Sequence, residues 1–278
     1  MYTRLTLIKT KEMSDMMIKL IVTDMDGTLL NQEGKLPKDF FSTLDKLKAK
    51  NIKFVVASGR PYVTLHNNFD PISDELDFIC DNGAFIVENG QVASIAIMDK
   101  TKVNEIIKFY DNIPDIEIVL CGIKNAYHHS LSTDFAKEID KYYLKYETID
   151  DLTTVDDDIF KVSICNLNGS ATNCYKVLEP IFNEYFNIVV SGATWVDLMR
   201  KGINKGSALE KIQKDEGISY EETMVFGDFY NDVEMLGKAH YSFVMENAND
   251  DMKQYGNFIA KRNTENGVIK AIEKYVLK

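Results

Sequence analysis

The stretch Ile18-Lys19-Leu20-Ile21-Val22-Thr23-Asp24-Met25-Asp26-Gly27-Thr28-Leu29-Leu30 joins an apolar run rich in β-branched residues to two aspartates and a glycine. Such a run is typical of a strand that is buried on both faces of a parallel sheet. Two carboxylates cannot lie inside that strand without partners, so we expect Asp24 and Asp26 at its carboxyl end. This is the end at which open α/β sheets bind ligands. Gly27 would allow the sharp turn that keeps both carboxylates near one point.

The pair Asp24 and Asp26 is compatible with several roles. The two carboxylates could share a divalent cation, or one could attack a substrate while the other transfers protons. A short Asp-x-Asp pair also occurs by chance in acidic loops. The pair therefore needs support from other segments before it indicates chemistry.

A strand followed by a polar cluster occurs twice more in the chain. Residues 52–57 precede Ser58-Gly59-Arg60-Pro61, whose hydroxyl, flexible backbone and guanidinium suit an oxyanion. Residues 223–226 precede Gly227-Asp228-Phe229-Tyr230-Asn231-Asp232, which supplies two more carboxylates. Lys205 lies between glycines at the start of a helical pattern, where backbone N–H groups also favour an anion. Separate segments thus offer acid pairs for a metal and donors for a phosphate.

Alternating helix and strand patterns predict an α/β fold with a parallel sheet. Phe40, Leu44 and Leu47 recur at helical spacing between the first two strands, and residues 76–80 form a further strand pattern. After Lys205 the alternation of helices and strands resumes. We therefore expect a core domain built from both ends of the chain, residues 18–84 and 192–278.

Residues 85–191 are predicted to form an inserted α/β domain. The segment opens with a hairpin signal, in which Glu88-Asn89-Gly90-Gln91 separates two apolar runs. Helical patterns at residues 103–110, 135–146 and 175–185 then alternate with strand patterns at residues 116–120 and 160–167. The first residues of the chain, 1–17, are predicted to be an N-terminal extension.

Charge and composition exclude several classes of partner. The chain of 278 residues has 32 basic and 43 acidic residues and a net charge of −11, which argues against nucleic acid or an anionic membrane as partner. No stretch approaches the roughly 18 apolar residues of a membrane helix, and residues 1–17 lack the apolar region of a signal peptide. The cysteines form no close pair, which favours reduced, structural thiols in a cytoplasmic protein. They are Cys80, Cys121, Cys165 and Cys174.

Taken together, the motifs resemble those of the haloacid dehalogenase-like hydrolases, specifically the Cof-type phosphatases with an α/β (C2-type) cap. The resemblance covers residues 18 to about 267 and implies a Rossmann-like parallel-sheet core with an inserted α/β cap domain. Phe229 stands where the family usually has glycine, and Glu246 precedes Asn247-Ala248 where a Met-Gly-Asn-Ala pattern is common. The matching motifs are Asp24-Met25-Asp26-Gly27-Thr28, Ser58-Gly59-Arg60, Asp81-Asn82-Gly83-Ala84, Lys205-Gly206 and Gly227-Asp228-x-x-Asn231-Asp232-x-x-Met235-Leu236.

The resemblance implies a Mg²⁺-dependent phosphatase that hydrolyses small phosphorylated metabolites, such as sugar phosphates or a phosphorylated cofactor. Asp24 would attack phosphorus to form an aspartyl-phosphate, and Asp26 would act first as general acid and then as general base. Asp24, Asp228 and the backbone carbonyl of Asp26 would bind Mg²⁺, and Asp232 would bind it through water or orient Lys205. The predicted phosphate-binding residues are Ser58, Gly59, Arg60, Lys205 and Asn231.

Two other functions stay open from the sequence. A phosphotransferase or phosphomutase would use the same aspartyl-phosphate, and a non-catalytic sensor would bind a phosphate ligand without turnover. Several polar or aromatic residues are assigned structural roles and not functional ones. Asp81 and Asn82 are expected to cap a turn, His128 and His129 to lie in a surface loop, and Tyr127 and Trp195 to serve in packing.

Overall fold

The structure is a computed structural model that describes residues 17–110, 113, 115–129 and 132–278. The predicted extension at residues 1–17 therefore lies outside the described residues except for Met17. The chain forms two compact units. The first comprises the described residues up to Val55 together with Leu209–Asp228 and Met235–Lys278, and the second comprises Val56–Ala208 and Phe229–Glu234.

The chain contains both α-helices and β-strands, in agreement with the predicted α/β class. The α-helices are α1 (Phe40–Ala49), α2 (Tyr62–Asn68), α3 (Lys100–Tyr110), α4 (Thr133–Ile139), α5 (Lys176–Phe182), α6 (Lys205–Glu216), α7 (Val233–Leu236) and α8 (Gly267–Tyr275). The strands are β1 (Leu20–Asp24), β2 (Lys53–Ala57), β3 (Asp77–Cys80), β4 (Phe85–Glu88), β5 (Gln91–Ile95), β6 (Ile116–Gly122), β7 (Ala126–His128), β8 (Tyr146–Thr148), β9 (Ile159–Asn166), β10 (Phe186–Val190), β11 (Trp195–Arg200), β12 (Thr223–Gly227), β13 (Tyr241–Met245) and β14 (Phe258–Ala260).

The first unit contains parallel strands in the order β14-β13-β12-β1. Thr23 of β1 pairs with Phe226 of β12, so these two strands end at the same edge of the sheet. All of β1 is buried, as expected for an apolar strand covered on both faces. The predicted parallel sheet is confirmed for these strands, and it brings the residues after β1 and β12 together.

Strand β2 carries the chain from the first unit to the second. In the first unit the N–H of Lys53 donates to the carbonyl of Lys19 at 2.8 Å. In the second unit the N–H of Ser58 donates to the carbonyl of Ile79 at 2.8 Å, which places Ser58 directly after β2 and beside β3.

The predicted hairpin is confirmed in the second unit. Strands β4 and β5 are antiparallel, and Asn89 and Gly90 turn the chain with φ angles of 51° and 70°. Strand β4 also pairs with β3, where Phe78 lies opposite Val87. The domain boundaries at residues 84 and 191 stay a prediction.

The second unit also contains a six-stranded sheet in the order β10-β11-β9-β6-β7-β8. Strand β9 is buried at every residue, and its side chains alternate between two environments. Val162 and Ile164 belong to an apolar core that includes residues of α3 and α5. Lys161 and Ser163 are also buried and carry polar groups. The second face of this strand is therefore built for hydrogen bonding as well as packing.

Two predicted helices are shorter than expected. The helix predicted over residues 135–146 ends at Ile139, and the one predicted over 175–185 has its α-helical part at Lys176–Phe182. Tyr142 and Tyr143 lie outside α4, and their rings pack 5.9 and 6.1 Å from the ring of Trp195. Burial of these aromatic side chains outweighs the local helical pattern.

The surface-loop prediction is wrong for His128, which lies on β7 with 1% of its surface exposed. Its ring packs 4.8 Å from that of Tyr146, whereas His129 is exposed. The packing roles of Tyr127 and Trp195 are confirmed, since both are buried in apolar clusters.

The thiol and membrane predictions can also be compared with the structure. All four cysteines are buried and free. Within the described ranges, helices of the length and apolar character needed to cross a bilayer do not occur.

Candidate active site

In the first unit, Asp24 and Asp228 form the centre of the candidate site. Asp24 ends β1 and is 6% exposed, while Asp228 follows the adjacent parallel strand β12 and is half-buried. Each offers a carboxylate oxygen within 4.8 Å of the other. Two such oxygens are suitable ligands for one hard divalent cation, and Mg²⁺ binds by one or two carboxylates in many phosphate-processing sites.

The loop after β1 packs closely against Asp228. Gly27 has a φ angle of 81°, and a Cβ atom at this position would lie 2.3 Å from Oδ2 of Asp228. The hydroxyl of Thr28 donates to Oδ1 of the same carboxylate at 2.9 Å. The Asp26 side chain is exposed on this loop. Only glycine satisfies both the backbone angle and the close approach.

Two asparagines to which the sequence analysis assigned no role donate hydrogen bonds to backbone carbonyls of this loop. The amide of Asn247 donates to the carbonyl of Gly27 at 2.8 Å. Asn263 donates from its backbone N–H to Oδ1 of Asn247 at 3.0 Å and from its side chain to the carbonyl of Leu30 at 2.8 Å. Asn247 could have been found from the sequence, because Asn247-Ala248 matches part of the family pattern.

A lysine that the sequence analysis missed adds positive charge to this unit. Burial lowers the pKa of Lys253, and the carboxylates of Asp250, Glu246 and Asp228 act in the opposite direction. The Lys253 ammonium donates to the carbonyl of Met245 at the end of β13. Lys253 therefore contributes to the potential at Asp228, and no sequence pattern marked it.

In the second unit, the loop Ser58-Gly59-Arg60 is held by its own hydrogen bonds. The hydroxyl of Ser58 accepts from the N–H of Arg60 at 3.1 Å, and it retains its own hydrogen as a donor. The carbonyl of Gly59 accepts from Nζ of Lys161 at 2.8 Å. The guanidinium carbon of Arg60 lies 5.6 Å from the centre of the Tyr142 ring, within the range of a cation–π contact.

Lys205 and Asp232, both in the second unit, form an ion pair of 2.7 Å. The other oxygen of Asp232 accepts from the backbone N–H of Phe229 at 3.1 Å. Gly206 makes the approach of α6 possible, because a Cβ atom there would lie 2.6 Å from the backbone carbon of Glu234. The structure thus brings Asp232 to Lys205, one of the two arrangements considered from the sequence.

Asn231 is joined to the Ser58 loop through Asn82. The amide of Asn231 donates to Oδ1 of Asn82 at 2.9 Å, and the backbone N–H of Asn82 donates to the carbonyl of Ser58 at 3.0 Å. Asp81 and Asn82 have φ angles of 50° and 53°, in the left-handed region that Asp and Asn tolerate best. Asp81 pairs with Lys161 at 2.7 Å, and both side chains are 1% exposed.

The chain is similar to proteins of a known family. The sequence profile of the haloacid dehalogenase-like hydrolases matches residues 21–272. The 5-amino-6-(5-phospho-D-ribitylamino)uracil phosphatase YbjI of Escherichia coli is 33% identical to the chain, covering 93% of it and 96% of the relative.

Two solved structures give the same result for the fold. The crystal structure of SMU.1108c from Streptococcus mutans superposes with a TM-score of 0.88 at 31% identity, covering 94% of this chain and all of that one. A haloacid dehalogenase-like hydrolase from Bacteroides thetaiotaomicron superposes with a TM-score of 0.79 at 26% identity, covering 92% of this chain and 99% of that one. The predicted fold class, a Rossmann-like parallel-sheet core with an inserted α/β cap, is confirmed.

The profile match extends over most of the chain and the E. coli relative is a named phosphatase. Asp24 at the end of β1 and Asp228 after β12 form an acidic pair that could hold a divalent cation. The chain therefore belongs to the haloacid dehalogenase-like hydrolases, and within them it is a Cof-type phosphatase.

Proposed function

We propose that the protein is a Mg²⁺-dependent phosphatase that hydrolyses small phosphorylated metabolites through an aspartyl-phosphate on Asp24. The observation that carries this proposal is the approach of the Asp24 and Asp228 carboxylates at the ends of adjacent parallel strands. One carboxylate oxygen of Asp24 would attack phosphorus, and Asp24 and Asp228 would together hold the divalent cation. The cation supplies charge neutralisation for the phosphoryl group when it is bound.

The reaction divides into two displacements at phosphorus. In the first, Asp24 forms a bond to phosphorus as the bond to the leaving oxygen breaks, and Asp26 gives that oxygen its proton. In the second, Asp26 takes a proton from a water molecule, which attacks phosphorus and releases inorganic phosphate from Asp24. Asp26 thus returns to its protonated state, and Asp24 returns to a free carboxylate.

The remaining predicted residues bind the phosphoryl group and the metal. Ser58, Lys205 and Asn231 would donate to the non-bridging oxygens, which carry the charge of the transition state. The backbone of Gly59 and the guanidinium of Arg60 complete the proposed phosphate site. The proposed metal ligands are Asp24, Asp228, the backbone carbonyl of Asp26 and Asp232.

The substrate class is part of the proposal. The E. coli relative is named for a phosphate ester of a ribityl-pyrimidine, which is a small polyol phosphate attached to a heterocycle. That compound is therefore the first substrate to test, beside sugar phosphates and phosphorylated cofactors. The net charge of −11 disfavours nucleic acid, and four free, buried cysteines support a cytoplasmic location.

The test is phosphate release from this panel, with and without Mg²⁺, by the wild type and by Asp24→Asn. We expect release that requires Mg²⁺ and is lost in the variant, whose side chain keeps the shape of aspartate but cannot act as the nucleophile. Addition of an alcohol acceptor separates hydrolysis from transfer to a second hydroxyl. Full activity without a divalent cation, or in Asp24→Asn, would overturn the proposal.

A further inference from the structure

A continuous series of hydrogen bonds joins Asn231 to the six-stranded sheet of the second unit. From Asn231 the series passes to Asn82 at 2.9 Å, and the amide of Asn82 donates to Oδ2 of Asp197 on β11 at 2.5 Å. Oδ1 of Asp197 accepts from the hydroxyl of Ser163 on β9 at 2.6 Å, and Ser163 accepts from Tyr143 at 3.0 Å. All five side chains are buried, with exposed fractions of 8% or less.

The chemistry of Asp197 fixes the direction of this series. An ionised carboxylate can only accept hydrogen bonds, so Asn82 has to turn its NH₂ group toward Asp197. The carbonyl oxygen of Asn82 then faces Asn231, which in turn has to present its own NH₂ group. The orientation of the Asn231 amide is therefore set by a residue two hydrogen bonds away.

A second contact from the same sheet reaches the Ser58 loop. Lys161 of β9 donates to the carbonyl of Gly59 and pairs with Asp81. Burial alone would lower the pKa of Lys161, but Asp197 and Asp81 raise it well above its ordinary value. The position of the Lys161 ammonium is set by its ion pair with Asp81 and its hydrogen bond to the Gly59 carbonyl.

Burial of these groups is costly, and packing alone does not require it. Apolar side chains of similar size in place of a buried ionic cluster are often neutral or stabilising. The cluster does what apolar residues cannot, because it fixes the orientation of the Gly59 carbonyl and of the amides of Asn82 and Asn231. Gly59 leaves room for this, since a Cβ atom at that position would lie 3.2 Å from the amide nitrogen of Asn82.

We infer that Asp197 is a positioning residue for phosphate binding, which acts by fixing the amide of Asn82 and, through it, the amide of Asn231. Asp197 itself does not touch substrate. The inference rests on the proposed role of Asn231 as a phosphate ligand, and it adds a determinant on β11 that lies outside the motifs of the sequence.

The test exchanges the two side chains that meet at 2.5 Å. With Asp197→Asn, the amides of Asn82 and Asn231 can adopt either of two orientations. Asn82→Asp places two carboxylates against each other. The double variant Asn82→Asp/Asp197→Asn restores a single orientation of the Asn231 amide. The carboxylate introduced at position 82 would accept from both neighbours, so Asn231 would again present its NH₂ group. We expect each single variant to weaken binding of inorganic phosphate, measured by titration calorimetry with Mg²⁺, by about 10-fold. The double variant should recover most of this loss.

Glu117→Gln is the matched control. Glu117 lies on β6 of the same sheet, is 8% exposed and accepts from the backbone N–H of His129. This change also converts a buried carboxylate to an amide, and we expect phosphate binding equal to that of the wild type. Urea unfolding of every variant separates folding defects from binding defects, and Ser163→Ala offers a milder change at Asp197 if a single variant fails to fold.

The outcomes distinguish the inference from the proposed function. Unchanged phosphate binding in folded Asp197→Asn and Asn82→Asp would overturn the inference, as would a double variant no better than the weaker single one. Wild-type protein that binds phosphate but hydrolyses no ester would overturn the proposed function, while the calorimetric comparison would still decide the role of Asp197.

Discussion

Nζ of Lys205 lies 2.7 Å from Oδ1 of Asp232, and neither side chain has any exposed surface. The carboxylate also accepts from the backbone N–H of Phe229, so the pair fixes the start of the loop that carries Asn231. Removal of one member leaves an uncompensated buried charge, which costs far more than the loss of a surface ion pair.

Lys205→Met should therefore lower the free energy of unfolding by about 3–5 kcal/mol in urea denaturation. The double variant Lys205→Met/Asp232→Leu should lose less than Lys205→Met alone, because it removes both charges. Lys211→Met is the control, since Lys211 pairs with Asp215 at the surface and should cost less than about 1 kcal/mol. Equal losses for Lys205→Met and Lys211→Met would contradict the account of the buried pair.

Gly27→Ala should reduce activity and Mg²⁺ affinity together, because the added methyl group would displace the Asp228 carboxylate. A displacement of this size at a catalytic group is expected to cost about 100-fold in kcat/KM. Gly34 provides the control: its φ angle is 71°, and a Cβ atom there would have no described heavy atom within 4 Å. Gly34→Ala should lower stability by about 1 kcal/mol with unchanged kinetics. A similar kinetic loss in both variants would show that backbone strain, not Asp228, is responsible.

Asn247→Ala should lower kcat by about 10-fold, because the loop that carries Asp26 loses the hydrogen bond to the Gly27 carbonyl. Circular dichroism and urea unfolding would establish that the fold is retained. Asn257→Ala is a suitable comparison, since the amide of Asn257 donates to the carbonyl of His240 at an exposed position. Equal kcat values for the two variants would show that the hydrogen bond from Asn247 to the Gly27 carbonyl does not support catalysis.

Glu117 gives a prediction for pH dependence. Burial raises the pKa of this carboxyl to about 7 from an ordinary value of 4.5. The folded state therefore holds a proton that the unfolded state has lost between these values, and stability falls as the pH rises through this window. Glu117→Gln should match the wild type below pH 4.5 and be more stable at pH 8. Urea unfolding of the two proteins at several pH values measures the difference.

The sequence alone predicted those residues of the candidate site that lie at the ends of recognisable strands. Asp24 ends strand β1 and Asp228 follows strand β12, and a parallel sheet gathers such positions at one edge. The pattern of apolar residues alone identified β1 and β12, so the approach of Asp24 to Asp228 followed from topology.

Contacts between segments that are far apart in the chain could not be predicted from the sequence. Asn82 and Asp197 are 115 positions apart, and β11 was not predicted because Trp195 was taken as an isolated packing residue. The run Trp195-Val196-Asp197-Leu198-Met199 has the composition of a buried strand with one carboxylate, the same signal that marked β1. His128 was misplaced for a related reason, since its burial depends on the pairing of β7 with β6 and β8.

Asp26→Asn with an activated aryl phosphate tests whether a covalent phosphoryl intermediate forms on Asp24. The aryl leaving group needs no proton, so the first displacement should proceed while the second stalls without its general base. We expect a burst of one phenol per enzyme molecule and a phosphoryl group on the peptide that contains Asp24, detected by mass spectrometry after acid quench. Steady turnover without a burst, or a phosphoryl group on another residue, would contradict a covalent intermediate on Asp24.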